Sequence, residues 1–455
     1  MTAQPIDTPP LRRVSVRETR RATGIAFFAW TIAVYDFILF GTLLPRIQES
    51  FGWSTSHALL VSTLVSVGTA FVVLAVGPIV DRLGRRKGMI ISVGGTAASS
   101  AATAATIGAG SLIGVRSISG LGLAEQSVNA TYLNELYEVT EDEKIRRNKG
   151  FVYSMVQTGW PIGALLAAGF VGVVTAIFGA DAWRLAFLLA TVPAIIVALL
   201  CRKLRESPQF ELQQKLRSMR KNGETVRAGE LAASHGASEN TSAPFKRIFQ
   251  GPHLRNTVVL SVAWLFNWFA IQTFSVLGTT VLEEGKGIDA SSTLLLVVVS
   301  NLVAALGYLA HGWAGDRFGR RNTIVVGWLL SGVFFAAMLL GPSGEVYVVL
   351  TYMMGLFFLL GPYAAILFFQ AECFSTDCRA TGSSFIGAMS QPGAIIGGFI
   401  LTGLTAASVS YSAAALWVGA FGAVVSAIVV LFAKRIASVD DDVEVDTLSP
   451  TGVTA

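Results

Sequence analysis

The chain has 455 residues, 53% of them hydrophobic and only 14% charged, with a formal net charge of +5 at pH 7. Soluble domains carry roughly 25% charged residues, so this composition excludes an ordinary water-soluble domain and points to a bilayer as solvent, where lipid-facing side chains must be apolar. Three cysteines, Cys201, Cys373 and Cys378, give neither a disulfide framework nor a metal cluster, and no metal or cofactor is expected.

A helix needs about 20 apolar residues to cross the hydrocarbon core. Residues 1–21 form a polar, basic tail. The apolar run 22–44 is too long for a cleavable leader and reads as the first span. Spans follow at 58–80, 88–109, 112–136, 149–178 and 185–203. A polar linker occupies 204–255, with an amphipathic surface helix expected near 206–221 and a flexible stretch after it. A second set of spans covers 256–282, 292–313, 322–341, 345–370, 380–408 and 411–433. Residues 434–455 form a tail whose acidic part, 436–455, is expected to be disordered. The expected fold is an all-α membrane protein: twelve transmembrane helices in two six-helix bundles, 22–203 and 256–433.

The basic residues set the orientation. With the N-terminus inside, 30 of the 34 Lys and Arg fall in the tails and inner loops. Only Arg46, Arg184 and Lys286 face outside, and Arg116 lies within a span. By the positive-inside rule both termini are cytoplasmic, in the cell (inner or plasma) membrane. Because the charge is distributed by topology, it does not indicate nucleic acid.

The halves repeat. Gly77-Pro-Ile-Val-Asp81-Arg82-Leu-Gly84-Arg85-Arg86 matches Gly312-Trp-Ala-Gly-Asp316-Arg317-Phe-Gly319-Arg320-Arg321 at an offset of 235 residues, each between the second and third span of its half. Glu135…Arg146 echoes Glu372…Arg379. Gly159-Trp160-Pro161-Ile-Gly163 echoes Gln391-Pro392-Gly393…Gly397. Two parallel repeats imply a binding site between them near the bilayer midplane.

The doubled loop resembles that of the major facilitator superfamily, and the likeness covers all twelve spans. Arg116-x-x-x-Gly120-x-Gly122-x-x-Glu125, Tyr132-x-x-Glu135, Glu206-Ser207-Pro208-Gln209-Phe210 and Ala371-Glu372-x-Phe374…Arg379-Ala380-x-Gly382 look like its sugar-porter, organic-ion and metabolite–proton symporter branches. The resemblance implies proton-coupled transport of a small solute by rocking of the halves, with Glu135, Arg146, Glu372 and Arg379 in a cytoplasmic charge network.

Asp81 and Asp316 follow helix ends with arginines close by. Each is expected to pair with Arg and with a helix N-terminus of its own half, latching the inner face. Asp36 lies deep in span 1, where a carboxylate costs roughly 2.5–3.5 kcal/mol on insertion scales. Arg116 is the basic residue deep enough to pair with it. In the resembled fold spans 1 and 4 are neighbours, and an acid and an arginine there form a proton-linked pair in several branches; Asp36 is then the expected proton carrier. Glu125 is a second buried acid, open to a proton, substrate or structural role. Intramembrane amides need partners, so Asn129, Gln157, Asn267, Gln272 and Gln391 are candidates for the substrate cavity or for helix–helix bonds. Tyr35, Trp160, Trp264, Trp268 and Phe274 suit a cavity for a ring or apolar body. His311 reads as a structural partner of the adjacent loop before a proton relay.

No nucleotide-binding P-loop, H-E-x-x-H or G-x-S-x-G motif is present, so an enzyme or ATP-driven pump is not expected. The leading reading is a proton-coupled symporter for a small organic acid or related metabolite, acting as a monomer, with Arg116 offering charge to a carboxylate. Uptake of a sugar or polyol, export of organic cations and a non-transporting sensor follow in that order.

Overall fold

The computed structural model describes residues 12–53, 55–179, 182–235, 244–288 and 290–433. The described residues are mainly helical, and among them the sole β-pairing is an isolated bridge between Val14 and Thr140.

Twelve spans form two halves. The first half contains Val16–Phe51, Thr55–Leu83, Arg85–Ala104, a fourth span in two pieces (Ala109–Ile118 and Gly120–Glu138), a fifth in two pieces (Lys149–Gln157 and Gly159–Phe178), and Trp183–Cys201. The second half contains Pro252–Ala270 continued by a π-helical turn over Ile271–Val276, then Ala290–Phe318 and Arg320–Leu340. Its tenth span is Glu345–Leu360 with Tyr363–Glu372, and its eleventh is Arg379–Ala388 with Ser390–Ala406. The twelfth is Tyr411–Ala415 and Phe421–Val430, joined by a π-helical turn over Leu416–Ala420. The repeat is therefore structural as well as sequential, since spans 4 and 10, and 5 and 11, are interrupted in both halves.

Nine of these units, among the described residues, are long and apolar enough to cross a membrane. Of the three others, span 8 begins among side chains that lie outside those described; span 4 carries Arg116, Glu125, Glu135 and Glu138, and span 3 is rich in Gly, Ser, Thr and Ala. Spans 3 and 4 lie inside the bundle, where charge can be paired. Outward faces are apolar: Phe71, Ile177 and Phe399 are 69%, 67% and 68% exposed to what would be lipid.

The halves meet along two equivalent seams, span 2 against the start of span 11 and span 8 against the start of span 5. Gly77 and Gly312 make them possible. A Cβ on Gly77 would lie 2.7 Å from the Thr381 Cα, and one on Gly312 2.6 Å from the Ser154 Cβ.

The linker holds helices Pro208–Lys221 and Thr225–Ser234. The second replaces the flexible stretch expected from composition, because Ala228, Leu231 and Ala232 bury against Leu216 of the first. The acidic tail, 436–455, lies outside the described residues.

Candidate functional site

A central cavity of about 620 Å³, its mouth included, lies between the halves. Trp30 and Trp160 wall it on one side, and Trp264, Trp268, Tyr308 and Tyr363 on the other. Small residues set these rings in place. Gly159 seats span 5 against span 1, so that a Cβ there would be 2.9 Å from the Trp30 ring. Gly393 does the same for span 11, with a Cβ 2.8 Å from that of Trp268. Trp30 and Trp160 lie 6.0 Å apart, and Trp264 and Tyr363 5.2 Å apart, between ring centroids.

The polar part of the wall is Gln126, Ser127 and Ser390, and among the described residues no Lys or Arg lines it. The indole N–H groups of Trp30 and Trp264 are buried without a hydrogen-bond acceptor. Asn267 accepts from the Tyr363 hydroxyl at 2.7 Å, while its amide N–H₂ has no acceptor. An uncompensated buried donor costs about 1–3 kcal/mol, which a ligand acceptor would remove.

Asp36 sits apart from this cavity. Arg116 Nη2 is 3.1 Å from one Asp36 carboxylate oxygen and donates to its backbone carbonyl at 3.2 Å. Ser100 donates to the other oxygen. The guanidinium is covered by Phe40 and Phe187, at 4.9 and 5.3 Å from the ring centroids. Both partners are buried. Arg116 is thus occupied and shielded, which corrects the expectation that it offers its charge to a substrate carboxylate.

Glu125 is fully buried, and a line of hydrogen bonds runs to it from the cavity. Gln126, on the wall, donates to Gln157 at 3.1 Å. Gln157 donates to the Tyr153 hydroxyl at 2.7 Å, Tyr153 to Asn129 at 2.9 Å, and Asn129 to Glu125 at 2.9 Å. Every donor points toward the carboxyl, and its second oxygen has no partner. Aligned bonds of this kind polarise one another.

At the motif-bearing end the two halves are latched. Asp81 accepts from the Thr381 N–H and hydroxyl at 2.7 and 2.6 Å and from the Ala380 N–H at 3.2 Å, all across the interface. Arg85 is 3.2 Å from Asp81, grips Glu135 at 2.9 Å, and donates to the Thr376 carbonyl at 2.8 Å. Asp316 accepts from the Gly150 and Phe151 N–H groups at 2.9 and 2.8 Å. Arg320 bridges Asp316 and Glu372 at 2.9 and 2.5 Å, and Lys149 reaches Glu372 across the interface at 2.8 Å. The arginine partners are those of the same half, as expected. The helix N-termini belong to the opposite half, because the seams place span 11 over span 2 and span 5 over span 8. Gly84 and Gly319 turn the chain into spans 3 and 9 with φ of 105° and 85°, a conformation glycine adopts without strain.

A profile of the family described as "Sugar (and other) transporter" matches residues 22–436. The chain belongs to that family. It is thereby a major facilitator superfamily transporter. It is 25% identical over 420 residues to the gallate transporter of Pseudomonas putida, covering 88% of this chain and 90% of that one. It is 24% identical over 415 residues to the 4-hydroxybenzoate transporter PcaK of Pseudomonas aeruginosa, covering 86% and 90%. Among solved structures, the proton:xylose symporter XylE superimposes with a TM-score of 0.74 at 16% identity, covering 92% of this chain and 96% of that one.

Within this transporter, Trp160, Trp264 and Trp268 stand on the cavity wall, with Asn129, Gln157 and Asn267 one or more bonds behind it. Tyr35 packs on Phe170 at 5.7 Å in a separate apolar cluster of span 1, and Phe274 stacks on Phe335 at 3.7 Å. Gln272 and Gln391 are not on the wall. His311 hydrogen-bonds the Gly307 carbonyl at 2.8 Å between the Phe357 and Phe358 rings. Arg146 is exposed on the short helix Glu143–Arg147 and does not join Glu135; Arg379, 3.5 Å from Glu135, does. Arg82 and Arg317 are exposed, while Arg86 and Arg321 donate to the Arg202 and Ala433 carbonyls at 2.7 and 3.3 Å.

Sequence reasoning missed Trp30, Gln126, Tyr308 and Tyr363 in the cavity, Tyr153 in the hydrogen-bond line behind it, and Lys149 and Thr381 in the latch. It marked Glu206-Ser207-Pro208 only as a family likeness. Glu206 caps span 3 by accepting from the Arg85 N–H at 2.8 Å. Ser207 caps the following helix and donates to Glu135 at 2.5 Å.

Proposed function

We propose that this transporter moves a small planar aromatic acid through the central cavity, with a proton, by alternating access. The observation that carries the substrate class is the cavity wall: four Trp and two Tyr around a few polar groups. Aromatic walls bury a flat ring on both faces and gain from offset and edge-on ring pairs. The indole and amide N–H groups that lack acceptors suit a carboxylate or phenol oxygen. A sugar would need a polar partner for each hydroxyl, and this wall supplies few. The relatives that carry gallate and 4-hydroxybenzoate support the same class.

Proton coupling rests on two buried acids with different surroundings. Asp36 binds a proton when Arg116 withdraws, and a proton on Asp36 in turn releases Arg116. Glu125 is the second acid, and the bonds from Gln126 give it a path by which an occupied cavity is felt. The interface charges act as a gate: with Asp81 and Asp316 bonded across the seams, the motif-bearing end is closed. That end faces the cytoplasm, with both termini, by the distribution of Lys and Arg, in the cell membrane. The chain works as a monomer, since the cavity and both seams lie within one polypeptide.

The test is uptake of labelled aromatic acids, sugars and amines into proteoliposomes under an imposed pH gradient. Aromatic acids should accumulate, and equimolar sugar should not compete. Sugar uptake without aromatic-acid uptake would refute the substrate class. Asp36→Asn should abolish accumulation while preserving exchange of substrate for substrate; unchanged accumulation would remove Asp36 as the proton carrier.

A further inference from the structure

A second groove, about 1460 Å³ with its open side, lies outside the substrate path, where span 1 begins and span 6 ends. Its rim carries Arg17, Arg21, Lys203 and Arg205, all exposed. The acid on the rim, Glu18, is already held by Arg12 at 3.1 Å, and Arg205 stands 3.9 Å from it with 70% of its side chain exposed. No carboxylate lies within 4.0 Å of Arg17, Arg21 or Lys203 among the described residues. Four cations are thus gathered with at most one shared counter-charge. Like charges repel at this range, and an anion seated among them relieves the repulsion.

Below the rim the groove is apolar. Ala22, Ile25 and Leu204 are buried in its floor and Leu200 lies beside them. The same two spans continue into lipid-facing flanks, where Phe28, Ile196 and Leu199 are 52%, 53% and 52% exposed. A basic rim over an apolar floor at the end of two membrane spans matches a phosphate headgroup with its acyl chains beneath. A free anion would use the rim and leave the floor unused.

We propose that this groove binds the phosphate headgroup of an anionic phospholipid and thereby braces the latch at the motif-bearing end. The mechanical link is short. Tyr132, on the groove wall, donates to the Arg205 carbonyl at 2.9 Å, and Arg12 donates to the Glu206 carbonyl at 3.3 Å. Glu206 and Ser207 in turn hold Arg85 and Glu135 of the latch. A headgroup on Arg205 and Lys203 therefore fixes the segment from which the latch is buttressed. This holds whatever solute the transporter carries.

The experiment measures lipid retention by native mass spectrometry, and thermal stability, on the full-length chain in nanodiscs. Phosphatidylglycerol is compared with phosphatidylcholine, and glycerol phosphate and inorganic phosphate are added as soluble arms. The wild type should retain phosphatidylglycerol and melt at higher temperature in it, and the soluble phosphates should not reproduce the effect. Surface basic residues contribute about fivefold each to anionic-lipid attraction. Arg17→Gln with Arg21→Gln, and Lys203→Gln with Arg205→Gln, should each weaken retention about 25-fold on that scale, so that the result survives if the fourfold variant misfolds. A charge-matched control, Lys215→Gln with Lys221→Gln on the linker helix, should retain lipid as the wild type does. Equal retention by the groove and control variants would overturn the site. Equal protection by inorganic phosphate would overturn the lipid as its source.

Discussion

The two copies of the latch are related by sequence, yet they close in different ways. Asp81 is fully buried and takes three donors across the interface, one of them the Thr381 hydroxyl. Its arginine reaches the far half through the Thr376 carbonyl, and its neighbour Glu135 is braced by Ser207. Asp316 is 8% exposed and takes two backbone donors. Each copy has a cross-half ion pair: Lys149 with Glu372 at 2.8 Å here, and Arg379 with Glu135 at 3.5 Å in the first. The first copy is therefore held by hydrogen bonds and charges that are almost wholly buried, and the second by a closer ion pair whose lysine is partly exposed. The same repeat can thus supply a rigid seam and a more yielding one.

The largest effect should come from removing the buried acid. Asp81→Ala strips the acceptor from two buried N–H groups and leaves Arg85 partly unpaired, a loss of about 3–5 kcal/mol for a broken buried pair. Asp316→Ala exposes its donors to a wetter site and should cost about 1.5–3 kcal/mol, the range for hydrogen bonds to a charged group. Hydrogen exchange reads this directly, through the amides of Ala380 and Thr381 in one case and Gly150 and Phe151 in the other. Equal deprotection at both seams would erase the proposed difference.

Next in size is a test of close approach. Gly77→Ala would press its methyl against backbone, 2.7 Å from the Thr381 Cα and 2.8 Å from the Ala380 carbonyl oxygen. Gly312→Ala meets the Ser154 Cβ at 2.6 Å, which no serine rotamer moves, and the Gly150 carbonyl oxygen at 2.9 Å. Both should favour separation of the halves, at roughly 1–3 kcal/mol for overpacking, because each methyl meets atoms fixed by the backbone of the other half. Labelling of a cysteine placed at the motif-bearing end should be faster in both variants than in the unsubstituted protein, and a difference between them would show which seam yields first. Identical labelling rates would mean that the two seams yield alike.

How much of this was legible in the sequence depended on how scarce each signal was. The twelve spans were readable because apolar length is a demand of the bilayer, and the halves because the 235-residue offset has no local cause. Asp36 and Arg116 were legible as a pair because few ionisable groups occupy the spans. The shielding of Arg116 was not, since it depends on Phe40 and Phe187 closing over it, and phenylalanine in a span carries no address. The same ambiguity hid Trp30, Tyr308 and Tyr363, which from sequence face lipid as readily as cavity. The latch aspartates were found by repetition, but Lys149 and Thr381 are ordinary residues made partners only by packing of one half on the other. For that reason the helix termini were assigned to the wrong half.

A smaller effect isolates charge. Lys149→Gln removes the cross-half ion pair but leaves Arg320 on Glu372. A partly exposed pair is worth about 0.2–1 kcal/mol and is screened by salt. The variant should show faster exchange at Gly150 and Phe151 in low salt and match the wild type near 1 M, while Ala380 and Thr381 stay unchanged at both. A response at Thr381 would mean that the seams open as one.

The smallest effect is a pH slope confined to the first copy. Burial pushes the Glu206 carboxyl above its ordinary value, against the N–H groups of Ser207, Arg86 and Arg85 and the charge of Arg85, which pull it down. A folded state that holds its proton more tightly than the unfolded chain loses stability as pH rises from the ordinary value, near 4.5, through the raised one, and the loss is complete above it. Glu206→Gln keeps an acceptor for the span-3 N–H groups and removes the titration. The melting temperature of the wild type should therefore fall relative to Glu206→Gln as pH climbs from about 4.5, then level off. Among the described residues no carboxylate takes the place of Glu206 at the N–H groups that open span 9, so Asn substitutions around Gly319 should leave the slope intact. A wild type that gains on the variant with rising pH would instead show that the ionised cap outweighs its burial. Glu206 would then be an electrostatic brace of the same kind as Lys149, and the contrast between a buried seam and a wetter one would fail at its buttress.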